Sequence, residues 1–219
     1  MSLIARVNFK DGKIVDDFGN NWVYHDTNSS DTTAVSGPFD NTSGFHIEPY
    51  HFPICNKLND VKDSKFCSID FWVKLNTPNE SRDGIILYSI GPQDSGDGIA
   101  FAFCNGYLYT ENGTSSNNIA PMKMDDILNK WVHIRMCIDA HNAIGKAEIN
   151  GEKTVIPGMG SLSSNIFNFS SYANYIGTWT YAPRYGVLNT ADSDFYDFKL
   201  YDSDIIGWNY DSKGTIVYY

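Results

Sequence analysis

Lys65-Phe66-Cys67-Ser68-Ile69-Asp70-Phe71-Trp72-Val73-Lys74-Leu75 places an apolar side chain at every odd position from Cys67 to Leu75, with Ser68, Asp70 and Lys74 between them. Successive side chains of a strand point to opposite faces, so this alternation predicts a β-strand with one face in a core. Residues 131–140 repeat it, with Val132, Ile134, Met136 and Ile138 set against His133, Arg135 and Asp139. Residues 195–201 read the same way, with Tyr196, Phe198 and Leu200 on the face opposite Asp197 and Lys199. Shorter apolar runs lie at 85–90, 99–103 and 107–109, the last two separated by Asn105-Gly106. Asn-Gly tolerates the positive φ that a two-residue hairpin demands, and Asn150-Gly151 supplies a second such turn between 145–149 and 153–156. Hairpins mean antiparallel pairing. No amphipathic helix of ten or more residues is evident; 122–128 reads as one or two turns leading into the strand at 131. Short strands punctuated by Gly, Pro, Asn and Asp predict an all-β sandwich of two sheets.

The chain has 219 residues, 42% hydrophobic, 15% aromatic and 19% charged. A chain this long buries about 70% of the surface its unfolded form exposes, so a core needs no disulfides. We expect one domain over 1–219. No internal repeat, low-complexity tract or linker interrupts it, and 26–33 reads as a surface loop between segments anchored by Trp22, Val23 and Tyr24 on one side and Phe39 and Phe45 on the other. The formal net charge of −10 argues against nucleic acid or an anionic membrane surface, which call for a basic footprint. Residues 1–9 carry neither a basic n-region nor an apolar core of a leader, and no window reaches the roughly 18–20 apolar residues of a spanning helix. Cys55, Cys67, Cys104 and Cys137 lack CxxC spacing and read as free thiols used as small hydrophobes.

The order of these signals resembles a known family. Gly44-Phe45-His46-Ile47, the 66–74 strand, Gly84-Ile85-Ile86-Leu87-Tyr88-Ser89 and Lys130-Trp131-Val132-His133-Ile134 come first. Ala147-Glu148-Ile149-Asn150-Gly151-Glu152, Tyr175-Ile176-Gly177 and 194–202 complete the series. The series resembles the laminin G-like, pentraxin-like branch of the concanavalin A-like lectin/glucanase superfamily, over nearly the whole chain. The resemblance implies a jelly-roll of two curved antiparallel sheets. It does not settle function, because the superfamily holds lectins, adhesion modules, glycanases and structural domains.

Catalysis is weakly supported. The glucanase branch carries its carboxylates in an E-[ILV]-D-x-x-E motif, whose counterpart here is Glu148-Ile149-Asn150-Gly151-Glu152. Asn stands where Asp is needed, and the Asn-Gly turn sends Glu148 and Glu152 to different strands, so both read as solvated hairpin charges. Asp192-Ser193-Asp194 puts two carboxylates on one strand face and reads as exposed acids where a strand begins. No Gly-x-Ser-x-Gly elbow or base-and-orienter pattern is present. His46-x-Glu48-x-x-His51 is a weak zinc candidate, because Pro49 bends it and His51 falls off the face His46 and Glu48 share. Asp94 and Asp97, in a glycine-bearing loop of oxygen donors, are candidate ligands of a single Ca2+. The second pentraxin-like calcium loop has no carboxylate here.

In its place, 177–186 carries Trp179, Tyr181, Arg184 and Tyr185, rings and a guanidinium suited to stacking on sugar C–H faces or on a protein. A second surface comes from Trp72, Trp131, His133 and Arg135 on the less apolar faces of two strands, lining a groove or packing under a loop. The expected function is a non-catalytic recognition module, lectin-like, for a glycan or cell-surface ligand. A phage tail or host-attachment protein, virion-associated or extracellular, is the expected setting. A protein-interaction module that oligomerises and a glycoside hydrolase of the same fold are the alternatives.

Overall fold

The computed structural model describes residues 2–77, 85–91, 98–104, 106–111, 116–140, 144–154, 167–178, 192–210 and 216–218. In chain order its first strands are β1 Leu3–Lys10, β2 Lys13–Asp16, β3 Val23–Tyr24, β4 Ala34–Ser36, β5 Ser43–Ile47 and β6 Pro53–Cys55. Then come β7 Phe66–Leu75, β8 Ile85–Gly91, β9 Ile99–Cys104, β10 Tyr107–Glu111 and β11 Ser116–Pro121. One helical turn, α1 Met124–Ile127, leads to β12 Val132–Asp139, β13 Ile144–Ile149 and β14 Glu152–Thr154. The last are β15 Ala173–Ile176, β16 Ser193–Tyr201, β17 Trp208–Tyr210 and β18 Ile216–Tyr218.

Nine of these strands form the larger sheet, in the order β14-β13-β12-β7-β16-β1-β2, with β5 also on β16 and β4 on β5. Seven form the second sheet, β11-β10-β9-β8-β15-β6-β3, and β17 with β18 makes a separate ribbon. This is an all-β sandwich of antiparallel sheets, as the alternation and hairpin turns predict, with the jelly-roll form that the resemblance implies. The odd positions of β7 lie in the core: Cys67, Ile69, Phe71, Val73 and Leu75 are each fully buried. Phe71 packs its ring 5.5 Å from Phe195 and 5.6 Å from Phe198, and Phe198 meets Tyr88 of the second sheet at 5.6 Å. Each such side chain contributes about 1.5–3 kcal/mol by leaving water. The buried Tyr88 hydroxyl donates to Asn174 Oδ1 at 2.7 Å, which offsets its desolvation.

At the 150–151 turn, Asn150 (φ 51°) and Gly151 (φ 81°) take the left-handed conformation, and Ile149 pairs with Glu152. Cys104 pairs with Tyr107 across the other hairpin. Cys55, Cys67 and Cys137 are free and buried. Trp22 and Tyr24 are anchored as expected, but Phe39 is not: it is 52% exposed.

Strict alternation fails in β16. Asp197 adopts φ 51°, and the register to β7 shifts between Tyr196 and Lys199. This bulge sends Tyr196 outward and brings Phe195, not Tyr196, into the core with Phe198 and Leu200. The same bulge marks a change of neighbour: residues 193–195 pair with β5, and residues 198–201 pair with β1. The close approach of β5 depends on Gly44, where a Cβ would stand 2.3 Å from the Phe195 carbonyl oxygen.

The outer face of the larger sheet is covered at one end. Ser68 Oγ donates to the Ser203 carbonyl at 2.6 Å, Lys146 pairs with Asp204, and Ile205, Ile206 and Trp208 pack with Cys137. Trp208 Nε1 donates to Glu148 Oε1 at 2.9 Å while Arg135 binds the other oxygen. Glu148 is therefore a buried, doubly bonded carboxylate and not a solvated hairpin charge; Glu152 is exposed as expected.

Candidate functional site

That face is built in rows by strand register, the first two uncovered and the third running under the cover at its Arg135–Glu148 end. In the first, His46 of β5 lies opposite Asp194 of β16, which lies opposite Lys74 of β7. In the second, Tyr196 lies opposite Trp72, which lies opposite His133 of β12. In the third, Arg6 of β1, Lys199, Asp70, Arg135 and Glu148 follow one another across five strands.

The second row is aromatic. Phe39 meets Trp72 in a T-shaped contact at 5.1 Å and 80°, and Tyr196 in another at 6.2 Å and 77°. Trp72 stacks on His133 at 5.0 Å and 21°, and His133 Nε2 lies 2.8 Å from Asp70 Oδ1. Phe39 sits in a tight loop closed by Gly37 N–H donating to the Thr42 carbonyl and Thr42 Oγ1 donating to the Phe39 carbonyl. An exposed ring held this way is presented ready-made. The third row is a chain of ion pairs: Arg6 Nε and Lys199 Nζ bind Asp197 at 2.7 and 2.8 Å, so the bulge residue is itself tied into the face.

At the end of the first row lies a cleft of about 500 Å³ lined by Thr33, Val35, His46, Asn76, Asp192 and Asp194. Asn76 Nδ2 donates to both carboxylates, to Asp192 Oδ1 at 2.8 Å and Asp194 Oδ1 at 3.0 Å. His46 Nδ1 lies 2.8 Å from Asp194 Oδ1, and its Nε2 lies 3.8 Å from Asp192 Oδ1. Lys74 Nζ binds Asp194 Oδ2 at 2.8 Å and stands 5.4 Å from the centre of the Trp131 ring. The hydrogen bond to Asp194 raises the His46 imidazole above its ordinary range, against the opposing effect of burial. Burial pushes the Asp194 carboxyl up, but hydrogen bonds from His46, Lys74 and Asn76 outweigh it and hold the acid below its ordinary range.

Of the residues singled out from sequence, Trp72 and Trp131 stand on this open face, and the 37–42 loop reaches Trp72 through Phe39. Trp179, Tyr181, Arg184 and Tyr185 lie outside the described residues, as do Asp94 and Asp97. Thr178, at the start of that aromatic loop, is buried and its carbonyl accepts from Ser89 Oγ at 2.7 Å. Asp192 and Asp194 do share a face, but the reading of both as exposed acids is corrected. Asp194 is 3% exposed and fully bonded, because β5 brings a histidine against it. The His46/Glu48/His51 trio does not assemble: His51 turns to Asp26 at 2.9 Å and stacks on Tyr24. Asn76 had no sequence signal beyond following β7.

No protein-family model matches the sequence, and no curated protein matches it. Solved structures do resemble the fold. The binding domain of botulinum neurotoxin serotype G superposes with a TM-score of 0.64 at 16% identity, over 93% of this chain and 48% of that one. A botulinum neurotoxin type C structure, described as dependent on two ganglioside molecules for cell entry, gives 0.61 at 15% over 93% and 49%. The chain thus spans about half the length of these toxin structures. Domain 4 of AbnA, an extracellular arabinanase from Geobacillus stearothermophilus, solved with arabinotriose, gives 0.62 at 14% over 91% of this chain and 92% of that one.

Proposed function

We propose that the chain is a non-catalytic carbohydrate-recognition module that holds its ligand on the open part of the larger sheet's outer face. The observation that carries this reading is the placement, on one face, of the polar cleft at Asp192 and Asp194 beside the aromatic row of Phe39, Trp72 and Tyr196. A saccharide presents C–H patches to rings and hydroxyls to carboxylates and amides, so the two halves complement one ligand class. The fold neighbours that carry arabinotriose or depend on gangliosides support it by analogy. The paired carboxylates do not suit hydrolysis. Retaining chemistry needs a free nucleophile and a proton donor with a raised pKa, and both oxygens of Asp194 are occupied while its acidity is increased. On the sequence motifs alone we place the chain in the laminin G-like branch, as one module over 1–219, with host or cell-surface attachment as its task.

A glycan array tests this. The wild type should retain a defined set of glycans, and Trp72→Ala should weaken that binding at least about tenfold, the loss of one stacked ring, while its melting temperature shows the fold intact. Trp179→Ala combined with Tyr181→Ala reports whether the 177–186 loop shares the ligand. An array on which the wild type retains nothing overturns the proposal. So does reducing-sugar release by the wild type from any glycan it binds.

A further inference from the structure

Resting on that reading, we propose that the cleft at Asp192 selects uncharged, hydroxyl-rich saccharides and turns away sugars that carry a carboxylate. The hydrogen-bonding inventory of the cleft carries this. Its charged and amide donors are already committed: both Asn76 Nδ2 contacts go to the two aspartates, His46 Nδ1 goes to Asp194, and Lys74 Nζ goes to Asp194 over the Trp131 ring, while Thr33 in the cleft wall adds a neutral hydroxyl that can donate or accept. The remaining His46 nitrogen, Nε2, faces Asp192. What stays open to a ligand beside that hydroxyl is acceptor capacity. Asp192 is about one-third exposed, and among the described residues its Oδ2 has no partner, since both side-chain contacts fall on Oδ1. The Asn76 amide oxygen is likewise uncommitted among the described residues.

Sugar hydroxyls are donors that such acceptors satisfy, two neighbouring hydroxyls to one carboxylate. A sugar acid brings a third carboxylate to a site where Asp194 and Asp192 already share His46, and Asp194 holds Lys74. It would meet Asp192 at close range with no free counter-charge, and Glu48 adds to the negative field at His46. Like-charge contact at an interface is a specificity device, strong against the wrong partner and nearly silent toward a neutral one. Val35 in the cleft wall leaves the apolar sugar face a place to rest.

The experiment uses the full chain and probes paired by charge: lactose against 3′-sialyllactose, which adds a sugar carrying one carboxylate, and trigalacturonate against its trimethyl ester, which removes three charges, within an array that also carries neutral oligosaccharides. We expect neutral members to be retained at least about tenfold more tightly than acidic ones, the effect of one unscreened like-charge contact. Asp192→Asn keeps the shape and removes the charge, and should shrink that preference at least about threefold without a change in melting temperature. Acidic members bound as well as neutral ones, or an unchanged preference in Asp192→Asn, overturn the selectivity and leave sugar recognition standing. An array silent for every probe removes both.

Discussion

Asp194 accepts from three side chains on two segments, His46 of β5 and Lys74 and Asn76 at the end of β7, and this couples the cleft to pH in a defined direction. The imidazole of His46 has a folded pKa above its unfolded value of about 6.5. Its contribution to stability is therefore complete below about pH 6.5 and lost as pH rises through the folded value. Asp194 is held below its unfolded value of about 3.9, so its contribution is complete above that and lost as pH falls through the folded value. The ion pair is at full strength between roughly pH 4 and 6.5. The melting-temperature gap between wild type and His46→Gln should be widest there and should narrow toward pH 9; a gap that grows with alkalinity would contradict the assignment. The pieces of this site were legible separately, since Asp192 and Asp194 share a strand face and His46 reads as a ligating side chain. Their union was not. It depends on β5 pairing with β16 across 148 residues of chain, a register that no local pattern encodes.

β16 is the element on which the site depends, because one added residue lets it serve two neighbours and display Tyr196. Periodicity read β7 and β12 correctly, since both run unbroken through the sheet. In β16 it placed Tyr196 inward, because one positive-φ residue, Asp197, inverts the alternation for everything before it. A bulge at an aspartate leaves no sign in an apolar pattern; its partners Arg6 and Lys199 are known only once β1 is laid alongside. Ahead of the bulge, the strand needs Gly44 as its neighbour. In Gly44→Ala the new methyl would fall 2.3 Å from Phe195 O and 3.2 Å from Phe195 C, both backbone atoms that cannot rotate away. We expect a loss of at least about 2 kcal/mol, at the upper end of overpacking costs. Chemical denaturation checks it. A change below about 0.5 kcal/mol, the range of neutral surface substitutions, would mean that β5 is not seated on β16 as described.

Across the whole molecule, two parts of one sheet face are treated differently. The segment at 202–208 lies over Ser68, Cys137, Lys146 and Glu148, while Trp72, Tyr196 and the cleft beyond them are left accessible. Hydrophobic alternation in sequence reports only the face toward the core, so it marks Ser68 and Cys137 as outward positions and is silent on what covers them. Trp208 holds this cover: its ring is 1% exposed, it packs with Cys137, and its Nε1 satisfies Glu148. Removing it in Trp208→Ala should cost about 3–5 kcal/mol, from lost burial and from a buried carboxylate left with one partner fewer. A second readout separates this from general destabilisation. Burial drives the Cys137 thiol far above its ordinary range, so in the wild type it should label with a thiol reagent only as fast as the protein unfolds globally. With the cover loosened, Cys137 should label while circular dichroism still reports native sheet, whereas Cys67, on the core side of β7, stays protected. Equal labelling of both thiols would mean that the segment is not a separable cover but an integral layer of the core.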